Sequence, residues 1–131
     1  MDTDLLSRLN AAPGIGDRAG SISWVERPTK AQMPGITIRR LDPGRSYTFG
    51  GAVSLQDTRT RFDFWGLSVR DIKPLFHATL NLLETGGSVG DTIFRPSMLE
   101  FESDQPAELI PEIGKVFRVT ADFRIWWQPI A

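Results

Sequence analysis

From Lys115 to Trp127 the chain reads Lys-Val-Phe-Arg-Val-Thr-Ala-Asp-Phe-Arg-Ile-Trp-Trp, and its apolar residues fall on alternate positions. Phe117, Val119, Ala121, Phe123, Ile125 and Trp127 are apolar, while Arg118, Thr120, Asp122 and Arg124 between them are polar. Successive side chains of a strand point to opposite faces, so the run predicts a strand with one dry face and one wet face. Trp126 breaks the pattern on the wet side, just before Gln128 and Pro129 end the run. A large aromatic on a face otherwise suited to water needs a cover, either an N-terminal loop of the same chain or another surface.

A second strand is predicted over Arg59–Leu67. Phe62 and Phe64 share its inward face, Arg59, Arg61 and Asp63 point outward, and Trp65 and Leu67 continue the outward face. A helix is predicted over Asp71–Leu83. Ile72, Leu75, Phe76, Thr79, Leu80 and Leu83 make a stripe one face wide, with Asp71 as N-cap, Pro74 in the first turn and Gly86-Gly87 as the stop. That stripe needs a sheet to lie on, and Phe62, Phe64, Phe117, Val119 and Phe123 are the expected floor. Truncating Leu80 to Ala is then expected to cost about 2–5 kcal/mol.

The remaining segments give weaker signals. Asp2–Leu9 reads as a short helix with Leu5, Leu6 and Leu9 on one side, stopped at Ala12-Pro13-Gly14. The glycine-bearing run from Gly14 to Gly20 follows a helix and precedes a strand, the wrong context for a phosphate loop, so it reads as a flexible connection. Ile22–Glu26 and Ile36–Leu41 read as strands, with a polar loop at Arg27–Lys30 between them. Arg39 and Arg40 read as solvated strand-edge charge. Asp42-Pro43-Gly44 is a turn signal, and the glycine pair Gly50-Gly51 predicts a bend, bulge or loop between Ser46 and Gln56. Val89–Ser103 is strand-like with an interruption at Pro96. Asp104–Gly114, with Pro106 and Pro111, reads as a loop or a single helical turn.

At 131 residues the chain is expected to be one domain, residues 1–131. A net charge of −1 gives no bulk pull toward nucleic acid or anionic lipid. There is no cysteine, which excludes disulfides and thiolate metal sites. No apolar run approaches the ~20 residues of a membrane helix, and Asp2, Asp4 and Arg8 among the first leucines argue against a secretory signal. His77 is the single histidine, so no ordinary zinc site can be assembled. The carboxylates of Asp63, Glu84, Glu100, Glu102, Glu108 and Glu112 are scattered, and the serines lack the context of a catalytic elbow. The expectation is therefore a non-enzyme with no catalytic, cofactor-binding or metal-binding residues and no cofactor.

The order of elements and three local pieces carry a resemblance. The pieces are Met33-Pro34-Gly35-Ile36-Thr37-Ile38, Arg61-Phe62-Asp63-Phe64-Trp65-Gly66 running into the Leu75–Leu83 helix, and Phe117-Arg118-Val119 to Ile125-Trp126. Together they resemble the tail terminator, or tail completion, family of long-tailed bacteriophages and gene transfer agents, over nearly the whole chain. The resemblance implies an α+β domain, a mostly antiparallel sheet with one main amphipathic helix and a short N-terminal helix packed on one face. It implies a homo-oligomer, a six-fold ring at the head-proximal end of the tail tube. That ring stops tube polymerisation, contacts the tail tube protein and docks the head-to-tail connector or stopper protein. DNA passes through the lumen without specific binding, there is no membrane partner, and the site of action is the virion tail, assembled in the host cytoplasm.

The long Arg45–Asp57 region departs from the simplest family pattern and is expected to be an inter-subunit or tube-contacting hairpin, with Gln105–Lys115 as the second candidate. The expected contact residues are Trp65, Leu67, Trp126, Tyr47 and Phe49. The alternative is a small α+β ligand- or peptide-binding module in which the wet-face tryptophans line a pocket. A ring needs one patch to meet a different patch on the next copy. On that expectation, Trp126→Asp leaves a folded protein that no longer forms rings. A variant that still sediments as the wild-type multimer removes Trp126 from the interface.

Overall fold

The computed structural model describes residues 2–16, 19–24, 34–41, 47–48, 51–52, 55–111 and 114–129. In chain order its elements are α1 (Asp2–Ala11), β1 (Ser21–Trp24), β2 (Gly35–Arg40), β3 (Tyr47–Thr48), β4 (Gly51–Ala52), β5 (Gln56–Gly66), α2 (Val69–Glu84), β6 (Gly87–Val89), β7 (Thr92–Phe94), β8 (Met98–Ile110) and β9 (Gly114–Pro129). The fold is α+β. A curled seven-stranded sheet runs in the order β1-β2-β5-β9-β7-β6, with β8 also paired to β9. β1 and β2 are parallel, and the other pairs of this sheet are antiparallel, so it is mixed but predominantly antiparallel.

The alternating C-terminal run is β9, and it is hydrogen-bonded along both edges. One edge pairs with β5 from Gln56↔Trp127 to Gly66↔Phe117. The other edge takes β7 near Pro129 and then β8 from Met98↔Arg124 to Ile110↔Gly114. Pro96 lies in the break between β7 and β8, where the Arg95 amide still donates to the Trp126 carbonyl at 2.8 Å.

The loop or helical turn expected over Asp104–Gly114 is absent, because β8 continues to Ile110 and makes a long hairpin with β9. Pro106 falls in the register break between Gln105 and Glu108, on a strand whose outer edge has no partner strand among the described residues. A missing N–H there removes no bond from a regular ladder. Gly114, at φ +100, closes the hairpin in a conformation that favours glycine. Between β2 and β5 the chain makes a separate two-stranded antiparallel sheet of β3 and β4, with Thr48↔Gly51 as its inner pair. The expected polar loop at Arg27–Lys30 and the turn at Asp42-Pro43-Gly44 lie outside the described residues.

The helices seal the inner sheet face. Ile72, Leu75, Phe76, Thr79 and Leu83 of α2 are buried, as the stripe predicted, whereas Leu80 is only half-buried. Phe62 meets Phe123 edge-on at 5.2 Å between centroids, and Phe64 meets Phe76 at 5.5 Å and 86°. This aromatic set joins β5, β9 and α2 with the geometry that ring quadrupoles favour. Leu5 and Leu9 bring α1 into the same core. Gly66 is required where β5 ends against α2, since a Cβ there would lie 2.8 Å from Ile72 Cγ1.

The ends of α2 differ from expectation. The N-cap is Ser68, whose Oγ accepts the Asp71 amide at 3.3 Å, so the helix begins before Asp71. Pro74 consequently sits inside the helix rather than in its first turn, and the exposed Arg70 carbonyl loses its helical donor. At the other end Thr85 is extended rather than left-handed, and Gly87 already belongs to β6. The C-terminal carbonyls are capped by other parts of the fold. Arg8 of α1 is only 7 % exposed, and its Nη2 donates to the Leu82 carbonyl at 2.9 Å and to the Thr85 carbonyl. The Ser97 amide donates to the Leu83 carbonyl at 2.8 Å. Burial pulls the Arg8 guanidinium below its ordinary pKa.

Two stability outcomes follow from this packing. Leu75→Ala costs about 2–5 kcal/mol and Leu80→Ala distinctly less, because Leu80 keeps part of its surface in water in the fold. Arg8→Ala costs about 1–3 kcal/mol by removing the donor to the Thr85 carbonyl and leaving the Leu82 carbonyl with the Thr85 amide alone. Urea unfolding of the three variants measures all three, and an Arg8→Ala midpoint equal to wild type contradicts the capping role.

Candidate interaction surface

The opposite face of the sheet is where a site must be sought, since α1 and α2 occupy the inner one. The register builds it in rows. Arg39 of β2 faces Arg61 of β5, which faces Asp122 of β9, which faces Phe101 of β8. The next row is Thr37, Asp63, Thr120 and Ser103, and the row after that brings Trp65, Arg118 and Gln105 together. On the other side, Arg59 faces Arg124 and Asp57 faces Trp126.

This face was expected to be wet, yet its centre is closed. Asp122 is 0 % exposed and Thr120 is 5 % exposed. The Asp122 carboxylate accepts from Arg61 at 2.7 and 2.9 Å in a two-pronged pair, and from Arg59 at 3.3 Å. Hydrogen bonding to Asp122 holds the Arg61 guanidinium above its ordinary pKa. Arg124 is likewise raised, first by its bond to Asp57 and further by Glu100, whose Oε1 lies 3.2 Å from its Nε. Like charges facing each other across strands repel. Arg59 and Arg124 therefore persist as neighbours only because carboxylates interleave them. Thr120 donates to Asp63 at 2.6 Å, which occupies one lone pair of that carboxylate.

Beyond Asp63 the surface opens into a cavity of about 270 Å³ lined by Arg39, Arg61, Asp63, Phe101, Gln105, Arg118 and Thr120. Trp65 forms part of its support. Its indole Nε1 donates to Thr37 Oγ1 at 3.0 Å, and the Arg118 guanidinium stacks 4.9 Å above its ring.

The residues expected to make contacts do not assemble into one patch. Trp65 and Trp126 are both half-buried on the outer face, but they stand at opposite ends of β5, roughly 25 Å apart at the rise of a strand. Leu67 lies just past the end of β5 and is 50 % exposed. Tyr47 falls in β3, where the backbone alone is described, and Phe49 lies outside the described residues. The largest exposed apolar side chains that sequence reasoning missed are on β8 and its neighbours. Leu109 is 81 % exposed, Met98 54 % and Phe101 44 %. The β8 edge opposite β9 has no partner strand among the described residues. Among those residues there is also no cluster of metal-ligating side chains, and His77 is exposed on α2. No protein-family model matches the chain, and no curated protein matches it significantly.

The buried carboxylate of Asp122 has a measurable consequence. Asp122→Asn removes the charge that Arg61 and Arg59 both donate to, and costs about 1–3 kcal/mol because the two guanidiniums are partly hydrated. Asp57→Asn costs less, since Arg124 keeps Glu100. Equal midpoints for the two variants in thermal unfolding contradict the central role of Asp122.

Proposed function

We propose that this chain is a structural subunit of a six-fold ring at the head-proximal end of a phage-like tail tube. There it ends tube polymerisation and docks the head-to-tail connector. In this reading it is no enzyme, holds no cofactor, works in the virion tail, and lets DNA pass its lumen without specific binding. The observation that supports self-assembly most directly is β8, a strand of 13 residues with one edge open among the described residues and Met98, Phe101 and Leu109 exposed on it. Natural sheets cover, shorten or charge such edges. β8 carries Glu100, Glu102, Asp104, Glu108 and Pro106, which discourage indiscriminate pairing while leaving its apolar side chains available to a specific neighbour. The element order and the α+β fold that the resemblance implies support the identity of the assembly.

A second reading, a small ligand-binding module, is favoured by the outer-face cavity between Arg39 and Arg118. The two readings separate by mass and by partner. In the ring reading, the purified protein sediments as a multimer, or becomes one on tail tubes, and electron microscopy shows it capping tube ends. Leu109→Asp, a surface change expected to alter stability by about 0.5 kcal/mol or less, then leaves a folded monomer. A wild-type protein that stays monomeric alone and with tubes overturns the ring reading.

A further inference from the structure

The cavity on the outer face has an imbalance that the rest of the face lacks. Arg59, Arg61 and Arg124 each have a carboxylate oxygen within 3.3 Å. Arg39 and Arg118 have none among the described residues, and both line the cavity. Arg39 stands directly across from Arg61, a like-charge neighbour whose own carboxylate lies on its far side, toward β9. Placing guanidiniums side by side is unfavourable unless an anion joins them.

We propose that this cavity binds the oxyanion of a small organic ligand, a phosphate or carboxylate held between Arg39, Arg61 and Arg118. The guanidinium of Arg118 is preorganised for the task. Its carbon lies 4.9 Å from the Trp65 ring centroid, and Thr37 accepts from the indole N–H, which fixes the ring that the guanidinium packs on. Asp63 is the one carboxylate in the lining among the described residues, and with Asp122 behind Arg61 it leaves the three arginines in excess there. Asp63 already accepts from Thr120, and its remaining acceptor capacity selects a ligand that carries a hydroxyl or amine beside its anionic group. Phe101 and Gln105 close the far wall with an apolar surface and an amide. A volume of about 270 Å³ suits a ligand smaller than a dinucleotide. The site stands on one chain and does not depend on ring assembly.

The test titrates the full chain with inorganic phosphate and with glycerol 3-phosphate, followed by calorimetry and by the indole N–H resonance of Trp65. Both anions bind and move that resonance, with glycerol 3-phosphate the tighter through Asp63. Arg39→Gln and Arg118→Gln each weaken binding at least about tenfold, the loss of one charge-assisted hydrogen bond, whereas Arg70→Gln on α2 has no effect. Sedimentation with and without phosphate separates two sources of the oxyanion. If the ligand is free, mass is unchanged and binding is retained. If a neighbouring copy inserts a carboxylate, added phosphate dissociates the multimer, and the small-ligand proposal is overturned. It is overturned as well if neither anion binds, or if Arg39→Gln and Arg118→Gln bind as wild type does.

Discussion

The pairing of β9 along both of its edges is the constraint on which the fold rests. A strand at the sheet margin could slip by one residue at modest cost, but β9 is held by β5 on one side and by β7 and β8 on the other. A slip would expose Phe117, Val119, Ala121, Phe123 and Ile125 and drive Asp122 toward α2. The inner face then locks the register a second time. Phe62, Phe64, Phe76 and Phe123 touch edge to face, and that geometry is available only when β5, β9 and α2 keep their present offset.

The same register that fills the core also creates the outer face. Once Phe62 sits opposite Ala121, Arg61 must sit opposite Asp122, and Arg39 opposite Arg61. The charged rows are thus a consequence of core packing, and the sequence has answered them with interleaved carboxylates in one region but not in the other. Around Asp122 the charges neutralise one another, and the carboxylate itself is out of water while the guanidiniums keep part of their hydration. Around Arg118 the charges do not neutralise one another. A cost retained at one place on a face that is otherwise balanced is more informative than the presence of arginines, which exposed strands commonly carry.

What could be read from the chain follows from where burial is one-sided. β5, α2 and β9 each have one face in the core, so alternation or a helical stripe is written into them. α1 was legible from Leu5, Leu6 and Leu9. The second half of β8 was not, because Asp104, Gln105, Ala107 and Glu108 have no core against either face to impose a period, and Pro106 argues locally against a strand. Ser68 was missed as the cap because Asp71 is also a competent one, and the choice depends on how β5 delivers the chain past Gly66. The outward direction of Arg59, Arg61 and Asp63 was identified correctly. That Asp122 is buried on the outer face depends on two arginines one strand away, a proximity that only the register supplies. The capping of α2 by Arg8 joins residues 74 positions apart, with no local signal.

The open edge of β8 and the cavity beside Arg118 share a wall, since Phe101 and Gln105 belong to both. A neighbour that added a strand to β8 would therefore approach the rim of the cavity, and a ligand in the cavity would stiffen the strand that the neighbour meets. Binding energy at one place is then felt at the other only to the extent that the ligand prefers the paired form of β8, and by reciprocity the paired form prefers the ligand by the same factor. The bulge between Gln105 and Glu108 sets where that coupling stops. On the cavity side of it β8 is tied to β9 opposite residues whose outer-face side chains are Asp122, Thr120 and Arg118. Past it the strand holds only the hairpin end, including Leu109, whose exposed side chain can meet a partner without disturbing the arginines. The half of β8 before the bulge thus supplies Phe101 and Gln105 to the cavity wall, while the half past it presents Leu109 away from the arginines.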